Sequence, residues 1–366
     1  MTFSLLRYFV YLFLAFAFVA CNSESPNSTL QEDNKPVLLP FSTGKINNLY
    51  VYLDPTYQQG PLKDTLSYYL DQPYLLTPMP SPVLDLTVYD FDRFIEGTVK
   101  TANNLIVVNV EEQSSISRFT KQQLGNEQIN KALEGKQIAL VRVKDVNARP
   151  QQVFYLLTKS YPNLSSPKII EQVQDYIQTI VEESLELDNT RLASSFAKRR
   201  NLSLEDRVKD EFGLEVWVPR EYQVMIEDTN MLWLLFETSE LYSSLLFYKS
   251  DEFDGSELMD RALPLRQAFG TYVTTNRDNT AMVTHTNSKP LPIQREITID
   301  EKQVIETRGL WEIDNDYLGG SFVNYTLENN RDETVTIDGF VYYSEDDVRR
   351  KMRDIDAIMS TVQIAD

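Results

Sequence analysis

"KQVIETRGLWEIDNDYLGGSFVNYTLE", residues 302–328, decides the fold class. Two runs of strand length, rich in Val, Ile, Phe, Tyr and Trp, flank a break made of Asn, Asp and the pair Gly319-Gly320. Such runs punctuated by turn residues read as strands. The glycine pair permits positive backbone angles or a close approach of strands between Asp316 and Phe322. "TVTIDGFVYY", residues 334–343, continues the series, and "SEDDVRRKMRDIDAIMSTV", residues 344–362, closes it as a helix. In that helix Val348, Met352, Ile355, Met359 and Val362 make a buried stripe. Glu345 with Arg349, Asp346 with Arg350 and Asp347 with Lys351 are acid-to-base pairs four apart on a solvated face.

Working back along the chain, "LEVWVPREYQVMIED", "MLWLLFET", "SLLFYKS" and "REITID" are further strands, with helices around residues 203–212 and 256–269. Before them, "NLYVYL", "VLDLTVYD", "NLIVVNV", "IALVRVKD" and "QVFYLLTK" precede a long helix. That helix starts at Ser166-Pro167, carries Val173, Ile177, Val181, Leu185, Leu192 and Phe196 at a spacing of about four, and ends at Lys198-Arg199-Arg200. Both halves run through strands and close on a helix. The expected class is α+β, as two similar units of mostly antiparallel sheet with helices packed on one face, spanning 46–200 and 201–366.

The start of the chain reads differently. Arg7 precedes Tyr8 to Ala20, thirteen apolar or aromatic residues, the pattern of a secretory signal and too short for a membrane span of roughly 20 residues. Val19-Ala20-Cys21 resembles the lipobox of bacterial lipoproteins, with Phe18 where Leu is usual, and Cys21 is the single cysteine. The resemblance implies cleavage after residue 20, lipid on the Cys21 sulfur and attachment to a membrane. Asn22 replaces the Asp that marks inner-membrane retention in well-studied bacteria, which implies the outer membrane, facing the periplasm or the surface. Residues 21–45, rich in Ser, Asn, Pro and acid, read as a disordered tether.

With its thiol lipidated, the chain has no Cys for a disulfide, a thiolate nucleophile or a Cys-based metal site. A net charge of −19, from which cleavage would remove the positive Arg7, repels phosphate backbones, so nucleic acid is not an expected partner. The one histidine, His285, rules out multi-histidine zinc sites, and without a G-x-S-x-G elbow it reads as a loop residue. "DEFDG" at 251–255 and "DNDYLGG" at 314–320 lack the ligand spacing of a calcium hand and read as turns. No cofactor is expected.

Two constellations could carry function. Glu306, Glu312, Asp314 and Asp316 could pair for hydrolysis of a glycan, which needs two carboxyls across the scissile bond. Alternation along a strand favours instead a solvent-facing acidic edge. Trp311, Tyr325, Phe340 and Tyr342, with the aliphatic Val323, pack as sheet side chains or form a platform for a sugar. The expected partner or ligand surface is Trp311, Glu312, Tyr325 and Tyr342.

The Gly-Leu-Trp strand at 309–311, the Gly-Gly turn at 319–320, the Gly-Phe-Val-Tyr strand at 339–342 and the basic terminal helix come in an order that resembles a family of uncharacterised Gram-negative envelope lipoproteins. The turn at 343–347 is more acidic than the family pattern. The resemblance implies location and fold and brings no activity. Together these readings describe a lipid-anchored envelope protein that binds or assembles without catalysis, with a protein or glycan of the envelope as partner. The rival is a carboxylate-dependent hydrolase of envelope glycans.

Overall fold

"NLYVYL", "NLIVVN" and "QVFYLLT" are apolar almost throughout, and they become strands buried on both faces: β1 (Asn48–Leu53), β3 (Asn104–Asn109) and β5 (Gln152–Thr158). The computed structural model describes residues 38–73, 77–250, 257–287, 289–343 and 348–366, and Leu39–Asp366 form one unit. The signal segment, Cys21 and the tether up to residue 37 lie outside the described residues. The end of the expected tether is described, and it lies against the fold: the backbone N–H of Arg149 donates to Pro40 (2.8 Å) and that of Thr43 to Thr101 (3.1 Å).

With β2 (Asp85–Tyr89) and β4 (Ile138–Lys144), the three buried strands form a sheet in the order β2-β1-β3-β5-β4, in which β4 alone runs antiparallel to its neighbour. Parallel neighbours need helical crossovers, and these cover both faces. On one face α1 (Pro61–Leu70) and α5 (Pro167–Phe196) lay Leu62, Leu66, Val173 and Ile177 on Val51 and Leu105. On the other, α2 (Phe91–Glu96), α3 (Ser115–Leu124) and α4 (Asn126–Ala132) set Phe94, Ile116 and Ile129 against Tyr52 and Ile106. The chain as a whole is α+β. The expectation of two similar units with helices on one face is corrected, because the first sheet is mostly parallel and enclosed on both sides.

After α6 (Leu202–Phe212), Pro219 interrupts the run expected at 214–228, leaving a two-residue β6 (Leu214–Glu215) paired with the terminal β15 (Gln363–Ile364). The second sheet is antiparallel and contains β7 (Gln223–Asp228), β8 (Met231–Glu237), β9 (Leu241–Lys249), β10 (Met282–Thr284), β11 (Ile293–Ile299), β12 (Lys302–Ile313), β13 (Gly319–Glu328) and β14 (Thr334–Tyr343). Its order is β10-β12-β13-β14-β9-β8-β7, with β11 also on β12. The Gly-Gly pair marks the hairpin between β12 and β13, as the sequence predicts.

On one face of this sheet α6 and α8 (Val348–Met359) bring Val208, Phe212, Met352 and Ile355 onto Val323 and Ile337. A Cβ at Gly339 would strike Ile355, so this glycine lets α8 lie directly on β14. The other face is covered over part of its length by α7 (Leu258–Gly270), whose Phe269 joins Phe322 and Phe340.

Met352, Ile355, Met359 and Val362 are buried, as their spacing predicts. The helix does not, however, turn a purely solvated face outward. Arg349 and Arg353 are buried, because α8 lies against α5 at the seam between the two sheets. Arg349 Nη2 donates to both oxygens of Asp85 (3.0 Å each), and Arg353 Nη2 donates to the carbonyl of Leu185 (2.8 Å) and to Asn189 Oδ1 (2.6 Å). The acidic partners expected at 345–347 lie outside the described residues.

Candidate ligand-binding site

Alternation along β8 puts Trp233, Leu235 and Glu237 on one face of the second sheet. The β8–β9 register sets Glu237 opposite Tyr242 and Leu235 opposite Ser244, and the next pairing sets Tyr242 opposite Tyr342 and Ser244 opposite Phe340. Two strands further on, Trp311 faces Gly320. A row therefore crosses the sheet from Glu237 through Tyr242, Tyr342 and Gly320 to Trp311. At Gly320 the row has no side chain: a Cβ there would collide with the Val341 carbonyl and come within 3.2 Å of Trp311 Nε1.

This row floors a cleft of about 390 Å³ just past the C-terminal end of α7, a volume within the range of small-molecule sites. Met225, Leu318 and the loop Val273–Asn276 wall it. That loop is tied down by Thr275 Oγ1, which donates to Asp316 Oδ2 at 2.8 Å, and Arg277 reaches the same carboxylate at 3.4 Å. The Tyr317 backbone N–H and the Thr275 hydroxyl hold the Asp316 carboxyl below its ordinary range. Asp316 thus braces the cleft wall.

The rings lie at varied tilts. Tyr242 and Tyr342 are 5.7 Å apart at 44°, Trp233 and Phe340 6.4 Å at 33°, and Trp311 meets Phe340 edge-on at 5.3 Å and 76°. Both indole N–H groups are used within the sheet: Trp233 Nε1 donates to Ser244 Oγ and Trp311 Nε1 to the Ser321 carbonyl, each at 3.2 Å. With Trp311 only 5% exposed, the apolar ring surface offered to a ligand comes mainly from the half-buried Trp233. Among the described lining residues Glu237 is the single charged group. Burial, and then the neighbouring Glu237, push the Tyr242 phenol above its ordinary pKa. Its described lining is aromatic, with one carboxylate and no Lys, Arg or His.

Of the residues expected to form a partner surface, the structure brings Trp311 and Tyr342 together here and separates the other two. Glu312 follows Trp311 on the strand, so it points to the opposite face, where it is exposed. Tyr325 lies on that opposite face as well, 8% exposed in the core beneath α8, and burial drives its phenol pKa upward. The grouping of four is corrected: one residue of slip along a strand changes the face.

The four acids do not form one edge either. β12 is an interior strand, with β13 on one side and β10 and β11 on the other. Glu306 is buried and clasped by Arg295 (2.8 Å) and Arg308 (2.9 Å). Burial alone would raise its pKa, yet the two guanidiniums outweigh that and hold the carboxyl below its usual range. Held ionised in this way, Glu306 is unsuited to donating a proton as an acid catalyst. Glu312 and Asp314 are exposed. The His285 backbone N–H donates to the Leu310 carbonyl (2.9 Å) beside the end of β10. The stretch 251–255 lies outside the described residues, and 314–320 is a turn leading into β13. Among the described residues no group of three or more His, Cys, Asp and Glu could hold a metal ion, and no helix is long and apolar enough to cross a membrane.

Sequence reading missed Trp233, Glu237, Tyr242 and the loop 273–276. "MLWLLFETSELYSSLLFY" was legible as two strands, but not the register that brings Tyr242 beside Glu237 and Tyr342. Residues 273–276 approach only because α7 ends where it does. No curated protein matches the chain. Residues 42–196 match a family described as a domain of unknown function (DUF8532), and residues 201–361, which build the aromatic cleft, match a second one described in the same words (DUF4837).

Proposed function

We propose that this protein is a lipid-anchored, non-catalytic binding component of the cell envelope, attached to the outer membrane through Cys21, whose ligand seats in the aromatic cleft. The observation that carries this reading is the row Glu237, Tyr242, Tyr342, Gly320 and Trp311, where aromatic surface converges at an open cavity with a few polar groups around it. The cleft includes one carboxylate among its described lining residues, while hydrolysis of a glycosidic bond by the usual route uses two. The anchor rests on the signal pattern and the Val19-Ala20-Cys21 motif.

The test is complementation of a deletion strain. Trp233→Ala and Tyr242→Ala proteins, verified as folded and membrane-bound, should fail to restore function, whereas Glu312→Gln and Asp314→Asn should restore it. Cys21→Ala should lose fatty-acid labelling and leave the membrane fraction, since acyl burial contributes about 0.8 kcal/mol per methylene. Full function of both aromatic variants would refute the binding reading, and labelled fatty acid on Cys21→Ala would refute the anchor.

A further inference from the structure

We infer that the ligand of this cleft is a neutral glycan; the inference rests on the cleft being a binding site and adds the chemistry of its occupant. Three features select that class. First, the described lining contains no Lys, Arg or His and belongs to a chain of net charge −19, so a phosphate, a uronic acid or another anion would be desolvated against a carboxylate with nothing to pair it.

Second, the rings form a trough and not a box. A cage for a quaternary ammonium needs ring faces on several sides within about 6 Å of the charge. Here Trp311 is 5% exposed and edge-on to Phe340, and the partly exposed Trp233, Tyr242 and Tyr342 lie along the floor. A trough of tilted ring faces suits a flat ligand. The axial C–H bonds of a pyranose carry slight positive charge and match the negative face of an aromatic ring.

Third, the polar groups stand around the rings. Glu237 ends the floor row, while Thr274 and Asn276 are exposed in the loop that walls the cleft. A purely apolar ligand would leave these groups unused, whereas sugar hydroxyls can donate to Glu237 and exchange hydrogen bonds with Asn276 and Thr274.

The measurement is titration of the full chain in detergent, followed by tryptophan fluorescence and by calorimetry. The probes are chitotetraose, cellotetraose, tetragalacturonate, choline and N-acetyl-Leu-Phe-Leu amide. At least one neutral tetrasaccharide should bind saturably, with no binding of tetragalacturonate. Trp233→Ala should weaken that affinity tenfold or more and Glu237→Gln severalfold, while Tyr68→Ala, on the exposed face of α1 over the other sheet, should leave it unchanged. Failure of both tetrasaccharides overturns the inference. If choline or the tripeptide then binds in a Trp233-dependent way, the binding reading stands with a different occupant. If Trp233→Ala and Tyr242→Ala also complement the deletion fully, the binding reading falls with it.

Discussion

Arg266 and Asp338 face each other through two bonds, Nε to Oδ1 at 3.1 Å and Nη2 to Oδ2 at 3.2 Å, with side chains 1% and 0% exposed. The guanidinium also lies 3.5 Å from the centre of the Phe322 ring and donates to Thr284 Oγ1 at 2.6 Å, while Asn324 Nδ2 donates to Asp338 Oδ1 at 3.0 Å. This network fastens the last turns of α7, which ends at Gly270, to β14 beside the cleft. Burial pushes the carboxyl pKa up and the guanidinium pKa down, each opposed by the partner. Removing one member of such a pair strands a buried charge, so Asp338→Asn should lower stability in urea unfolding by about 3–5 kcal/mol. The double variant Arg266→Met/Asp338→Leu, which removes both charges, should recover much of that loss. A double variant as unstable as the single one would contradict this account.

Glu306 gives the fold an acid-sensitive contact on the opposite face. Its folded pKa lies below the usual carboxylate range because Arg308 and Arg295 outweigh the effect of burial. For a carboxyl depressed on folding, the stabilisation is present above the unfolded pKa and is lost as pH falls through the folded one. Glu306→Gln should therefore be less stable than the parent at pH 7, and the gap should shrink as pH falls below about 4.3. Urea midpoints between pH 7 and pH 3 measure this. A gap that stays constant across that range would show that Glu306 contributes by packing and not by charge.

Arg349 and Arg350 are adjacent on α8 and should behave differently. Arg349 is buried and bonds Asp85 and the Pro82 carbonyl of the first sheet's unit, whereas Arg350 is exposed. Because Asp85 is half-exposed, solvent screens the ion pair, and Arg349→Ala should cost about 1–2 kcal/mol. Arg350→Ala should cost well under about 1 kcal/mol. Thermal denaturation of the two variants side by side decides it, and equal losses would mean that α8 does not gain stability from its contact with β2.

The elements were more legible than their arrangement. Strand composition and helix spacing located nearly every element of the second sheet, and the stripe Met352, Ile355 and Met359 is buried as its period requires. The first sheet misled because "NLIVVN" and "QVFYLLT" do not alternate, which is the mark of strands covered on both faces. In α5 the buried stripe runs through Ser184 and Asp188, which no apolar spacing reveals. Asp188 is buried there because its Oδ2 accepts the backbone N–H of Asn47 at 2.6 Å, a contact 141 residues away in sequence. For the cleft, Trp311 and Tyr342 were visible as aromatics. Their meeting depends on a register summed over three strand pairings, and no short motif encodes it.

Gly320 ties the sheet to the cleft, and its substitution separates the two. The residue faces Trp311 across β12 and β13, and a Cβ built on it collides with the Val341 carbonyl of β14. Its backbone angle is not in the left-handed region that favours glycine, so the requirement is for space and not for conformation. Backbone cannot retreat as a flexible side chain can, so Gly320→Ala must spread β13 from β14 or twist the hairpin. Overpacking of this kind typically costs about 1–3 kcal/mol. The same movement shifts Trp311 relative to Tyr342 and so alters the cleft floor. The expected result is a lower melting temperature together with weaker binding of the neutral tetrasaccharide and a changed tryptophan emission spectrum. Gly319→Ala is a graded control: its Cβ would meet the Trp311 carbonyl at 2.8 Å, and position 319 alternates to the face away from the cleft. It should lower stability and leave affinity nearly unchanged. If Gly320→Ala loses stability but binds as the parent does, the cleft floor is not set by this contact. The aromatic row would then owe its geometry to β8 and β9 alone.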